Sequence, residues 1–361
     1  MKNIAETDEN LKIENRIEQK DILWRDASAP CFRVHGLHLP YIYGAGDAPV
    51  RFRRLPDEVG MNTNEGVAEL YKNTAGGRLR FRTDSGYVAI RCVWDGLTRF
   101  PHMPATGVSG FDLYVAENGA SRFCKSFVPP IDGDGYESIA CFGSREMREF
   151  TINFPLYNSV ASLDIGLEPG AHISHAAPYR VAAPVVYYGS SVTQGGCASR
   201  PGNSYPAMIS RMLDIDHINL GFSGSGRGEA IMAEHIASLE MAALVMDYDH
   251  NAPTPEWLER THYPFYRIVR RAQPGLPIIC VSRTLNPAGD DEIALRREII
   301  MATVERARAG GDSRIWFADG SRFFTGEDWD ACTVDGVHPN DLGFHRMAQA
   351  LAPMIARALG I

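Results

Sequence analysis

A hydroxyl, an imidazole and a carboxylate stand in this chain where acyl transfer would need them. Ser191 lies in Gly189-Ser190-Ser191-Val192-Thr193-Gln194-Gly195, and His338 in Asp335-Gly336-Val337-His338-Pro339-Asn340. The first string follows an apolar run, Val185 to Tyr188, and precedes a helix-like stretch from Ser204 to Leu213. The hydroxyl is therefore expected where a parallel strand ends, the edge at which open α/β sheets bind ligands. In the second string Asp335 precedes His338 by three residues. That is close enough on one loop for the acid to fix the ring's tautomer while the ring takes a proton from serine. Pro339 restricts His338 to an extended backbone, which narrows the approach of the ring. Small residues are also ordinary in a plain strand-to-helix turn, an Asp-x-x-His string also suits a helix-capping loop, and Ser190 is a second candidate nucleophile.

Two further strings close strands. Asn219-Leu220-Gly221-Phe222-Ser223-Gly224-Ser225-Gly226 is glycine-rich but lacks the Gly-Lys-Ser/Thr ending of a phosphate loop and the acid of a dinucleotide site. Val245-Met246-Asp247-Tyr248-Asp249-His250-Asn251-Ala252-Pro253 gathers Asp247, Asp249 and His250. These three are either metal ligands, at no recognised spacing, or a hydrogen-bonded floor that orients Asn251.

The elements that must position these groups divide the chain near residue 180, giving domains at 1–180 and 181–361. Before that point, Arg78 to Thr83 alternates apolar and charged residues, turns at Asp84-Ser85-Gly86, and continues as Tyr87 to Val93, which reads as a hairpin. Phe111 to Val115 meets Arg122 to Cys124 across Glu117-Asn118-Gly119, a tight-turn signal. With Phe150 to Phe154 and Ser162 to Leu167, these runs predict an antiparallel β-sandwich behind a charged lead-in. After Pro184, strands at 185–188, 217–221, 242–246, 277–281 and 315–318 alternate with helices at 204–213, 229–240, 256–271 and 292–309. A last helix spans 341–359. This predicts a flavodoxin-like three-layer α/β domain with a parallel sheet.

The 361 residues are 45% apolar and 22% charged, ordinary for a soluble globular protein and unlike a disordered one. A formal charge of −8 argues against nucleic acid as a partner. No apolar run has the length of a membrane span, and Met1 to Lys20 lacks the apolar core of a secretory signal. The seven cysteines show neither disulfide nor zinc spacing. A cytoplasmic location is the expectation, with no metal or other cofactor.

The carboxy-terminal half resembles the SGNH, or GDSL-like, hydrolases, whose blocks run in this order. Gly110-Phe111-Asp112-Leu113-Tyr114 resembles the signature of the GxDLY domain that precedes SGNH domains in some carbohydrate-active esterases. The resemblance implies Ser191 as nucleophile with Asp335 and His338. It also implies an oxyanion hole from the amides of Ser191 and Gly224 and the side chain of Asn251. This chain departs from the family pattern at Ser190, where aspartate is usual, and at Asp249 and Ala252, which replace the glycine and aspartate flanking Asn251. The resemblance further implies a carbohydrate O-acetylesterase acting on an acylated small molecule or oligosaccharide. An acyltransferase or an inert carbohydrate-binding protein would share the same blocks. Arg200 is a candidate substrate ligand or a surface cation, and Trp257 and Trp329 are candidate sugar-stacking or core residues. A homo-oligomer stays open.

Overall fold

The computed structural model describes residues 17–38, 52–117, 119–284 and 290–361. Residues 1–16 of the charged lead-in, and Asn118 of the expected tight turn, lie outside them.

Two antiparallel sheets face each other in the amino-terminal half. Its elements are β1 (Leu23–Asp26), β2 (Arg33–His35), α1 (Asp57–Thr63), α2 (Glu65–Leu70), β3 (Arg78–Thr83), β4 (Tyr87–Trp94) and α3 (Ala105–Val108). They are followed by β5 (Phe111–Glu117), β6 (Ala120–Phe127), β7 (Gly135–Cys141), β8 (Arg148–Asn153), β9 (Val160–Leu167) and β10 (Ile173–Ser174). One sheet has the order β1-β9-β4-β7, and the other β10-β3-β8-β5-β6 with β2 also on β3. Alternate residues of β3, β4, β5, β8 and β9, among them Leu79, Phe81, Val88, Ile90, Phe111, Phe150 and Ile165, meet in one core. The period of two read from the sequence is what sends every second side chain inward.

The expected hairpin of β3 and β4 is not formed. The two strands belong to different sheets, and their apolar residues reach the core from opposite sides. Buried Ser85 turns the corner: its Oγ donates to the Tyr87 carbonyl at 2.6 Å and accepts the Glu168 amide at 2.9 Å. The β5–β6 hairpin does form, with a register shift between Leu113 and Tyr114. A second departure is α1 and α2, which are not part of the sandwich. Leu55, Val67 and Tyr71 pack with Phe222, Met232, Ile236 and Tyr248 of the carboxy-terminal half. Arg54, 2% exposed, donates to the carbonyls of Leu70 and Gly221 and stacks on Phe222.

The carboxy-terminal half contains β11 (Val181–Gly189), α4 (Ser191–Gln194), α5 (Tyr205–Leu213), β12 (Ile215–Gly221), α6 (Ala230–Ser238) and β13 (Ala243–Asp247). It continues with α7 (Pro255–Ala272), β14 (Ile278–Val281), α8 (Asp291–Ala309), β15 (Ile315–Ala318) and α9 (Asp341–Leu359). The five strands are parallel in the order β12-β11-β13-β14-β15, the flavodoxin-like arrangement. Val185, Tyr187, Val245 and Ile279 pack on one face with Ile209 of α5 and Phe344, Met347 and Leu351 of α9. Val186, Tyr188, Leu244, Met246 and Ile278 pack on the other with α6, α7 and α8. Burial on both faces explains why these strands read as unbroken apolar runs. Among the described residues no helix is long and apolar enough to cross a membrane.

Candidate active site

The turn after β11 has no spare room. A Cβ on Gly189 would lie 2.0 Å from Thr193 Oγ1 and 2.4 Å from the Asp247 carbonyl, so only glycine fits between the strand end and its neighbours. Ser190 is fully buried and its Oγ accepts the Val192 amide at 3.2 Å, capping α4. Its hydroxyl is turned into the helix start, which removes it as an alternative nucleophile. Ser191, the first residue of α4, instead places Oγ 3.0 Å from His338 Nε2.

His338 is held by its own loop. Thr333 and Pro339 form an antiparallel bridge, and the Val334 amide donates to the His338 carbonyl at 2.9 Å. Asp335 Oδ1 accepts the backbone amides of His338 (2.7 Å) and Val337 (3.0 Å), while Oδ2 lies 2.7 Å from His338 Nδ1. Desolvation raises the Asp335 pKa, but these hydrogen bonds, led by the His338 amide, outweigh it and bring the carboxyl down to about 2. A carboxylate can only accept, so the network assigns the proton to Nδ1 and leaves the Nε2 lone pair facing the serine hydroxyl.

Potential oxyanion donors come from the ends of β11, β12 and β13. Among the described residues none accepts a hydrogen bond from the backbone amide of Ser191 or Gly224. Gly224 has φ +66°, a left-handed conformation that glycine adopts without strain. Asn251 ends a 3₁₀ turn (Asp249–Asn251), and its Nδ2 donates to the Phe222 carbonyl at 2.8 Å, leaving a second amide hydrogen. That bond ties Asn251 to the loop carrying Gly224. The loop is braced further by Gln194, whose Oε1 accepts the Ser223 amide at 3.0 Å while Nε2 donates to the Leu156 carbonyl at 3.0 Å.

Beneath lie the acids that a metal would have required, and they are occupied otherwise. Asp247 Oδ2 accepts Thr193 Oγ1 and Tyr205 Oη, both at 2.9 Å, and burial pushes its carboxyl up to about 7. Asp249 Oδ2 accepts the Arg283 amide at 2.9 Å, and Oδ1 lies 3.3 Å from Arg283 and 3.6 Å from Arg296. Burial lowers His250 to about 3, with Arg283, His338 and Arg296 opposing its charge too. Two guanidinium groups on Asp249 leave no electrostatic reason for a cation there. Asp247 and Asp249 form a hydrogen-bonded floor rather than a metal site.

Comparison with known proteins matches residues 182–356 to the GDSL-like lipase/acylhydrolase family and residues 33–173 to the GxDLY domain, described as the N-terminus of SGNH-hydrolase-type esterases. The carboxy-terminal half is a GDSL-like, or SGNH, domain, and the amino-terminal half carries the GxDLY domain that accompanies it. A solved structure assigned as a GDSL-like lipase from Bacteroides ovatus is 29% identical, with a TM-score of 0.83, covering 94% of this chain and 98% of that one. The salicylyl-acyltransferase SsfX3 from a tetracycline biosynthetic pathway is 21% identical, with a TM-score of 0.77 and coverage of 95% and 99%. A family two carbohydrate esterase from Cellvibrio japonicus is 14% identical, with a TM-score of 0.61 and coverage of 94% and 98%. No curated protein sequence matches the chain.

Three other candidates of this SGNH domain have protein contacts of their own. Arg200 is turned into the seam between the two halves, its guanidinium 4.0 Å over the Phe123 ring and Nε 3.7 Å from Asp112 Oδ2. Trp257 is half-buried and donates from Nε1 to the Arg227 carbonyl at 2.8 Å, bracing the loop after Gly224. Trp329 packs partly buried on the α5/α9 side of the sheet. Sequence reading missed the sandwich residues that reach the site. Tyr157 Oη donates to the Ser191 carbonyl at 3.3 Å, Phe100 packs edge-on against Tyr157, and the His102 ring lies 5.9 Å from that of His338. The signal for Phe100 and His102 was two aromatic rings set between Arg99, Pro101 and Pro104 in an otherwise β-rich segment. Cys197 is buried, and desolvation followed by Asp335 raises its thiol to about 11, so it is not a competing thiolate.

Proposed function

We propose that the protein is a serine esterase that removes short acyl groups, acetyl foremost, from carbohydrate through a covalent acyl-enzyme. The observation that carries this reading is the continuous relay from Ser191 Oγ to His338 Nε2 (3.0 Å) and from His338 Nδ1 to Asp335 Oδ2 (2.7 Å). His338 takes the serine proton as Oγ attacks the ester carbonyl. The resulting oxyanion is held by the amides of Ser191 and Gly224 and by the free amide hydrogen of Asn251. Collapse expels the alcohol, to which His338 returns the proton. Water, deprotonated by the same ring, then releases the acid and regenerates the serine. Asp335 stays ionised throughout and supports the imidazolium.

Water as the acceptor is supported by the match of residues 182–356 to the GDSL-like lipase/acylhydrolase family. A carbohydrate substrate is supported by solved carbohydrate esterases that share the fold. The test is acetate release from acetylated xylo-, manno- and xyloglucan-oligosaccharides, with p-nitrophenyl acetate as a generic ester. Ser191→Ala is expected to lower turnover at least about a thousandfold while remaining folded. A folded protein that hydrolyses no short-chain ester refutes the proposal, and dominant acyl transfer to an added sugar would replace hydrolysis with the transferase reaction.

A further inference from the structure

We propose that His102, Cys197 and His338 form a binding site for Zn2+ or a similarly soft divalent cation, and that its occupancy switches the esterase off. One potential ligand atom from each side chain lies within 4.8 Å of the other two. The three come from separate segments: His102 from the loop before α3, Cys197 from the loop after α4, and His338 from the loop before α9. Two imidazoles and a thiol are a donor set for zinc and unlike the oxygen shells of Mg2+ and Ca2+. Donor atoms around a tetrahedral zinc sit roughly 3.3–3.6 Å apart for the usual Zn–N and Zn–S lengths. The cluster therefore has to close by about 1 Å, a side-chain adjustment. His102 is exposed and gives the ion a path from solvent, while Cys197 is buried and lines the inner side.

The placement of Cys197 is specific. Its φ is 75°, and among the described residues only Asp214 shares a positive φ without being glycine. The thiol lies 3.6 Å from the His102 carbonyl, so the two segments are already in contact. Both nitrogens of His338 are committed, Nε2 toward Ser191 and Nδ1 toward Asp335. A cation on either one displaces a bond that acyl transfer needs. On binding, the thiol loses its proton to solvent and the sulfur and two nitrogens donate to the metal, leaving the fourth position to water.

The switching half of this proposal rests on the role proposed for His338, and the binding half does not. Binding is therefore measured by calorimetric titration of Zn2+ into Ser191→Ala protein, with and without Cys197→Ser, and with Mg2+ as a control. Inhibition is measured as the Zn2+ concentration that halves ester hydrolysis in the wild type, His102→Ala and Cys197→Ser, each relative to its own metal-free rate. One Zn2+ per chain is expected, removable by EDTA, with no effect of Mg2+. Each ligand variant should raise the half-inhibiting concentration at least about tenfold, as for weakened metal sites generally. Unchanged zinc affinity in Cys197→Ser, or equal sensitivity in both variants and the wild type, overturns the site. Stoichiometric binding without loss of activity overturns the switch.

Discussion

Replacing Asp335 with asparagine tests the relay more sharply than deleting it. Oδ1 of this residue accepts two backbone amides, from His338 and Val337, while Oδ2 faces His338 Nδ1 at 2.7 Å. An asparagine has one acceptor oxygen, and the two backbone donors claim it. Its NH2 must then point at Nδ1, which forces that nitrogen to become the acceptor and moves the ring proton to Nε2. Nε2 would then present a hydrogen to Ser191 and could not take one. Loss of the useful tautomer in serine–histidine–aspartate sites lowers turnover about ten-thousandfold, a barrier increase of roughly 5 kcal/mol. Since both loop hydrogen bonds survive, the denaturant midpoint should stay close to that of the wild type. The assay is kcat for p-nitrophenyl acetate at neutral pH beside a urea titration. A folded Asp335→Asn protein retaining more than about a tenth of wild-type turnover would refute the argument that this carboxylate sets the tautomer.

Asn251→Ala removes one oxyanion donor and should lower kcat roughly a hundredfold or more; single-turnover kinetics with a KM near that of the wild type would support this, whereas an unchanged kcat would remove Asn251 from the oxyanion hole. Ser190→Ala deletes the cap of α4, so a stability loss of about 1 kcal/mol is expected with turnover within tenfold. A thousandfold loss there would move the nucleophile by one residue. Asp216 joins the halves, pairing Oδ1 with buried Arg78 of β3 and placing Oδ2 2.9 Å from His35 Nδ1. Desolvation raises its pKa, but Arg78 and His35 prevail and bring it down to about 2. A depressed carboxyl stabilises the fold above its unfolded pKa of roughly 4, and that contribution disappears as the pH falls toward 2. Asp216→Asn should cost about 3 kcal/mol at pH 7 by leaving Arg78 uncompensated. In urea titrations the gap between variant and wild type should narrow below pH 4, and a constant gap would contradict the ion-pair account.

The parallel sheet was legible because its strands are buried on both faces and its helices carry marked ends, such as Asn340 accepting the amides of Leu342 and Gly343 to start α9. The relay was legible because Asp335 and His338 are local to one loop and Ser191 sits at a strand end. What escaped was everything set by distant packing. Arg78–Thr83 and Tyr87–Val93 alternate identically whether they pair or face each other across a core, so periodicity could not separate a hairpin from a sandwich corner. Helices α1 and α2 are short, and their reason for existing is an apolar surface about 150 residues away in sequence. Arg200 lay near Ser191 along the chain, yet its charge and its planar face are claimed by Asp112 and Phe123.

The buried carboxylate of the Gly110-Phe111-Asp112-Leu113-Tyr114 string shows how far the sandwich reaches into its neighbour. Asp112 accepts Asn153 Nδ2 on its own sheet and the Gly202 amide of the other half, both at 2.7 Å. The segment it grips also contributes Ser199 and Asn203, which bond Asp341, three residues beyond the imidazole. Excised at residue 181, the hydrolase half would lose this anchor, the Arg54 plug and the packing of α1 on α6 together. The two sequence modules thus share buried polar contacts, and a graft onto a foreign partner would have to transplant residues 52–76 and the aspartate clamp along with it.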